Sequence, residues 1–371
     1  MLRAFEPTFK RFISLLLRFL LGSPPCGVAA DLTFDRILVI RQHNQLGDML
    51  CAVPLLRALR DRFPSASIVL MASPVNYDVM VHLRYVDRVI NFDKREFLRN
   101  GVCGIGNLVR FIRTLRAENF DLAIVPSTVS MSFTSDLLAR LSGARTRIGA
   151  NSLDGRENIA ACCFNLPVEL DWRTTPTRHQ TLRNFDVARP LGLRTPDLRL
   201  EMTLNPLELE EANLLRQKKV EHGKKIVVYH PGAGKVPNRW DPRRFASVVN
   251  TLATARGVCT FISWGPMDDE PVKEMLRHVA VPYKLIKGRP IRAVAVYLSV
   301  ADLVITNDTG IMHVAAAVGA PVLALFGPTD PAQWAPIGAQ HRFLRGERGD
   351  IQCLSVSEVT RTAEEMLAAS G

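Results

Sequence analysis

The chain has 371 residues, 47% hydrophobic and 22% charged, proportions that exclude a disordered or fibrous protein and leave room for two domains of ordinary size. Lys and Arg total 47 against 36 Asp and Glu, a formal charge of +11 that favours anionic partners: nucleic acid, phosphorylated small molecules or an anionic membrane surface. Seven cysteines stand at 26, 51, 103, 162, 163, 259 and 353 with no C-x-x-C spacing, which reads as reduced cytoplasmic thiol and not as a disulfide framework or a zinc site.

Residues 1–25 form the first segment. Arg3, Lys10, Arg11 and Arg18 accompany an apolar run from Phe12 to Leu21. That run is too short for a membrane-crossing helix, and Arg18 interrupts it for a secretory signal as well. Two readings remain: a basic amphipathic helix lying on anionic lipid, or a terminal helix packed on the protein body. Pro24-Pro25 separates the segment from the rest of the chain.

From Arg36 onward apolar strand signals alternate with helical ones, the pattern of doubly wound α/β folds with parallel sheets. Strands are predicted at 36–41, 67–72, 88–92 and 121–126. Helices are predicted at 48–63, kinked at Pro54, at 107–118 and at 134–142. Between about 150 and 200 the periodicity weakens, and Pro167, Pro176, Pro190 and Pro196 punctuate the run, so the domain boundary is placed there. The second half repeats the logic. Helices are predicted at 206–222, 242–255, 268–278, 291–299 and 310–318, and strands at 225–230, 258–263, 283–286, 302–306 and 321–326. The organisation is therefore a Rossmann-like domain over 35–185, a second over 200–350, and a helix over 355–371 expected to fold back on the first. Two such domains imply a cleft lined by the carboxyl ends of strands, where ligands of open parallel sheets bind.

Three segments carry candidate chemistry. In 301–331 a strand runs through a tight turn into a helix, and Asp308-Thr309-Gly310 stand at the junction with His313 one turn on. Gly310 opens the helix without a Cβ and leaves backbone N–H groups for an anion such as a diphosphate. The plainer alternative is that Asp308 and Thr309 only cap the helix and His313 is a core polar residue. In 228–246 a glycine-rich loop follows a strand. Gly232 and Gly234 let backbone approach phosphate oxygens, and Lys235 and Arg239 supply charge; a tight surface turn is the alternative. Tyr229 and Val236 stand where a Walker loop needs Gly and Ser or Thr, and Pro237 replaces the third glycine of a dinucleotide fingerprint,. In 41–59 a loop follows the first strand and Gly47-Asp48 open a helix. A carboxylate there is stabilised by the helix dipole, so Asp48 is either a cap or, if it faces the cleft, a general base.

Together these segments resemble glycosyltransferase family 9, the bacterial lipopolysaccharide heptosyltransferases. The resemblance spans about residues 35–340. It is carried by Ile37-Leu-Val-Ile-Arg with Leu46-Gly47-Asp48 and Pro54-Leu-Leu-Arg-Ala-Leu, by His230-Pro-Gly-Ala with Arg239-Trp240, and by Asp308-Thr-Gly-Ile-Met-His with Phe326-Gly-Pro-Thr-Asp-Pro. It implies a GT-B architecture of two Rossmann-like domains facing a cleft. It also implies an inverting transfer, without cofactor or metal, from ADP-heptose to a growing lipid A–core oligosaccharide. By position, Asp48 is the implied catalytic base. Thr309, Gly310 and His313 are implied contacts to the diphosphate and donor sugar, Asp308 to the sugar hydroxyls, and Glu270 to the nucleotide ribose.

One departure stands out. Two residues before the Trp of the middle motif the family usually has a phosphate-binding Lys, and this chain has Asn238, so Arg239 or Lys235 has to supply the charge. The implied partners are an ADP-sugar, a lipid-linked oligosaccharide and the inner face of the inner membrane. A related enzyme using another nucleotide-sugar, or an inactive membrane-associated scaffold, are the competing readings. Nucleic-acid binding is not expected, since no recognisable module accompanies the charge.

Overall fold

A computed structural model describes residues 33–42, 45–98 and 101–369. The basic segment 1–25, with the two readings offered for it, lies outside the described residues. Among the described helices none is long and apolar enough to cross a membrane. The chain divides into two compact units, one holding the chain up to Tyr77 with Arg84–Asp197, the other Asp78–Leu83 with the chain from Leu198 onward.

The first unit is built on strands β1 (Arg36–Arg41), β2 (Ser67–Ala72), β3 (Arg88–Asn91), β4 (Leu122–Ile124), β5 (Thr146–Leu153), β6 (Arg156–Glu157) and β7 (Leu166–Leu170). Their order is β3-β2-β1-β4-β5, with β7 parallel to β5 beyond a register shift and β6 an antiparallel return on β5. β1 is an apolar run buried after its first residue, as a central strand covered by helices on both faces requires. The helix predicted over 48–63 is two helices, Leu46–Leu50 and Val53–Arg62, with the break just ahead of Pro54. Proline lacks the N–H that would continue the first helix but suits the opening turn of the second.

The second unit holds β8 (Ile226–His230), β9 (Cys259–Trp264), β10 (Tyr283–Lys287), β11 (Leu303–Asn307), β12 (Val322–Phe326) and β13 (Arg342–Arg345) in the order β10-β9-β8-β11-β12-β13, all parallel. This is the 3-2-1-4-5-6 winding of a Rossmann sheet. The expected α/β class, two doubly wound parallel sheets, is what the chain forms. Trp240 of the middle motif is fully buried beside Phe245, edge to face at 5.2 Å, and its indole N–H donates to the Leu354 carbonyl. That Trp is therefore a core anchor. The closing helix Val356–Ala369 buries Val359, Ala363, Met366 and Leu367 in the same core. Its apolar face thus belongs to the second unit, correcting the expectation that it braces the first.

Candidate functional site

In a doubly wound sheet ligands collect beyond the carboxyl ends of the strands, where the winding reverses. The reversal falls between β1 and β4 in one unit and between β8 and β11 in the other. Each reversal carries one cluster of the sequence-derived residues.

In the first unit Asp48 sits in the opening turn of the helix Leu46–Leu50 and is buried. Its partner is Arg41, the last residue of β1, itself 1% exposed. Arg41 Nε donates to the Asp48 carbonyl at 3.0 Å, and Nη2 lies 3.4 Å from the Asp48 carboxylate and 3.1 Å from Thr128 Oγ1. Nη1 donates to the carbonyl of Pro126, just past β4. Burial pulls the guanidinium below its ordinary pKa and the Asp48 charge opposes this. A buried guanidinium needs a paired carboxylate and satisfied N–H groups, so Arg41 fixes the direction of the Asp48 side chain. Sequence reasoning missed Arg41 in this role, although its place at a strand end seven residues ahead of the carboxylate was visible. Burial with an ion-pair partner differs from the simple helix cap offered as the alternative.

The second cluster begins with the loop after β8. Gly232 is buried, and a Cβ added there would lie 1.9 Å from Asp268 Oδ1. The Asp268 carboxylate accepts from the Gly265 amide at 2.7 Å, so Gly232 is demanded first by this internal contact. Gly234 and Lys235 are exposed. Arg239 donates from Nε to the Ala233 carbonyl at 2.8 Å and stands 3.2 Å from Glu270, whose side chain is 81% exposed. The fold therefore brings Arg239 and Glu270 together. His230, buried at the end of β8, has Nε2 3.9 Å from Asp268; burial pulls its pKa down and the Asp268 charge opposes this.

Asn307, the last residue of β11, ties the loop to the helix that comes after it. Its amide donates to the Pro231 carbonyl at 2.8 Å and its oxygen accepts from the Trp240 amide at 3.1 Å. Asp308 comes next. Burial raises its carboxyl pKa, opposed by a hydrogen bond to Thr329 and by the Lys235 charge. The Asn238 amide donates to Asp308 Oδ2 at 3.0 Å. Thr309 stands at the N-cap of the helix Gly310–Ala317 with extended backbone, and its hydroxyl makes no capping bond. The cap-only alternative is thus not what its side chain does. His313 is buried, its ring edge to face with Trp334 at 6.0 Å. The arrangement offers an open helix N-terminus, an exposed Lys and a held carboxylate, which suits an anion carrying hydroxyl groups. Asp268, Asn307 and Thr329 went unread as partners because each acts through a contact remote in sequence.

Comparison with known proteins bears on the family and the fold. The profile of "Glycosyltransferase family 9 (heptosyltransferase)" matches residues 108–363. The chain is 26% identical over 325 residues to lipooligosaccharide heptosyltransferase 2 of Haemophilus influenzae, covering 85% of this chain and 90% of that protein. Its fold is similar to that of a family 9 glycosyl transferase from Veillonella parvula, with a TM-score of 0.77 at 23% identity over 92% of this chain and 99% of that one. It is also similar to that of the E. coli ADP-heptose lps heptosyltransferase II, with a TM-score of 0.73 at 21% identity over 90% and 99% of the two chains. The GT-B class and a glycosyl-transferring activity follow, and this chain belongs to glycosyltransferase family 9.

Proposed function

We propose that this enzyme moves heptose from ADP-heptose to the lipid A–core oligosaccharide of lipopolysaccharide, with inversion and without a metal. In this reading Asp48 is the general base that takes the proton of the acceptor hydroxyl, held in register by Arg41. The open N-terminus of Gly310–Ala317, with Thr309 and His313, receives the diphosphate and donor sugar. Asp308 addresses sugar hydroxyls, and Gly232, Gly234, Lys235 and Arg239 line the phosphates. Glu270 reaches the ribose while paired with Arg239. The general base lowers the barrier to attack, and dipole and cation stabilise the departing diphosphate.

The observation that carries the proposal is that the three motif segments follow β1, β8 and β11, the strands at the winding reversal of each sheet. The donor assignment draws on the relatives, one of which is named for ADP-heptose. The reading also places the enzyme on the cytoplasmic side, peripheral to the inner membrane. Its test is transfer to truncated core lipopolysaccharides from ADP-heptose against UDP- and GDP-sugars. Turnover with ADP-heptose alone is the expected result, and turnover only with another donor overturns the assignment. Asn238, where the family usually has Lys, supports keeping a second reading, a family 9 transferase with a different nucleotide-sugar; the same assay decides it.

A further inference from the structure

Three remote segments meet at Asn238. It ends the short turn Val236–Asn238 and is 7% exposed. Its side-chain amide lies 3.0 Å from Asp308 Oδ2 and 3.3 Å from Thr329 Oγ1, and Thr329 also hydrogen-bonds Asp308. Asn307 pins both ends of the loop that carries Asn238, through Pro231 and Trp240. The amide therefore meets the carboxylate from a fixed backbone, with a planar donor that has one good orientation. A lysine at this position would bring a mobile point charge instead. Arg239 is already engaged by Ala233 and Glu270, whereas Lys235 is exposed on the same loop.

We propose that Asn238 is a positioning residue for the donor sugar: with Thr329 it clasps Asp308 in the orientation that meets the sugar hydroxyls, and Lys235 supplies the cation for the diphosphate. This rests on the donor reading above and adds a division of labour to it. A neutral clasp steers the sugar end, and a separate lysine holds the phosphate end. Binding of ADP should then depend on the lysine and not on the clasp, and binding of ADP-sugar on both.

The experiment is calorimetric titration of the full chain with ADP and with ADP-heptose. Asn238→Ala is expected to weaken ADP-heptose by about tenfold while ADP stays within about twofold, the size of one positioned hydrogen bond to a charged group. Thr329→Val, which keeps the side-chain shape, should act in the same direction and carries the test if Asn238→Ala does not fold. Lys235→Ala should weaken both ligands together. Combining Asn238→Ala with Asp308→Asn should cost no more than Asp308→Asn alone, because the clasp acts through that carboxylate. Equal weakening of ADP and ADP-heptose by Asn238→Ala, or additivity in the double variant, overturns the proposal. A wild-type protein that binds neither nucleotide overturns the donor reading, and the proposal with it, before any variant is made.

Discussion

At the scale of single residues, charge and burial decide what each candidate can do. Asp48 is buried against a buried Arg41, so an amide in its place preserves shape and removes the proton acceptor. Asp48→Asn is expected to lower kcat by about 10²–10⁴ with donor affinity little changed; near wild-type turnover would end the base assignment. Thr309 caps nothing with its hydroxyl, so Thr309→Val should leave thermal stability alone while weakening nucleotide-sugar binding by about 1–3 kcal/mol. A drop in melting temperature without loss of affinity would reverse that reading.

Asp136 gives a pH signature in the first unit. It is buried and accepts a hydrogen bond from Asn158 Nδ2 at 2.9 Å. Burial raises its pKa to about 7, the Asn158 bond opposing. A raised carboxyl pKa means that the folded state holds the proton more tightly than the unfolded one. Its contribution to stability is therefore full at low pH, falls as pH rises from about 4 to about 7, and is flat above. Asp136→Asn should remove this slope, so that urea unfolding shows the variant gaining on wild type between pH 5 and pH 8. Parallel stability curves would exclude it.

At the scale of elements, local chemistry explains both the success and the failures of the sequence reading. Helix Pro242–Arg256 starts with the Asp241 side chain accepting from the Arg243 amide and ends at Gly257 with φ 59°. Both signals are readable from neighbours in the chain. The stretch from about 150 to 200 reads as linker because its periodicity weakens and Pro167, Pro176, Pro190 and Pro196 punctuate it,. Its first part nevertheless completes β5 and forms β7. Pro167 pairs with Gly149 in β7, a strand at the sheet margin, where a missing N–H costs little. The Phe164 ring covers Gly149 so closely that a Cβ there would lie 2.2 Å from it. The glycine-rich loop after β8 behaves likewise. Gly232→Ala should push the Asp268 carboxylate off the Gly265 amide and destabilise the fold by about 1–3 kcal/mol, as overpacking does. An unchanged denaturation midpoint would mean that the loop yields freely.

At the scale of the whole molecule, the charge of +11 and the basic segment 1–25 would suit the lipid-bound acceptor proposed above. If that segment holds the enzyme on an anionic surface, the acceptor is met at raised effective concentration. Deleting residues 1–25 should then leave ADP-sugar binding intact and lower binding to anionic vesicles. Added salt should weaken the full chain in the same direction, since each Lys or Arg near such a surface contributes about 1 kcal/mol of screenable attraction. Loss of the fold or of nucleotide binding in the truncated protein would instead make the segment part of the body.

By itself the sequence determined the α/β class, most strands and helices of the second half, and the loops that carry candidate chemistry. Each of these is set by neighbours in the chain: apolar runs, caps, prolines and glycines after strands. Only the tertiary structure decided which side chains act as pairs. Arg41 acquires its role because β4 lies beside β1 and delivers Pro126 and Thr128. Asn238, Asp308 and Thr329 meet because β8, β11 and β12 are adjacent in the sheet although the residues are 70 and 91 positions apart. Parallel winding gathers the carboxyl ends of distant strands, and no local pattern in the chain encodes which side chains will face one another there.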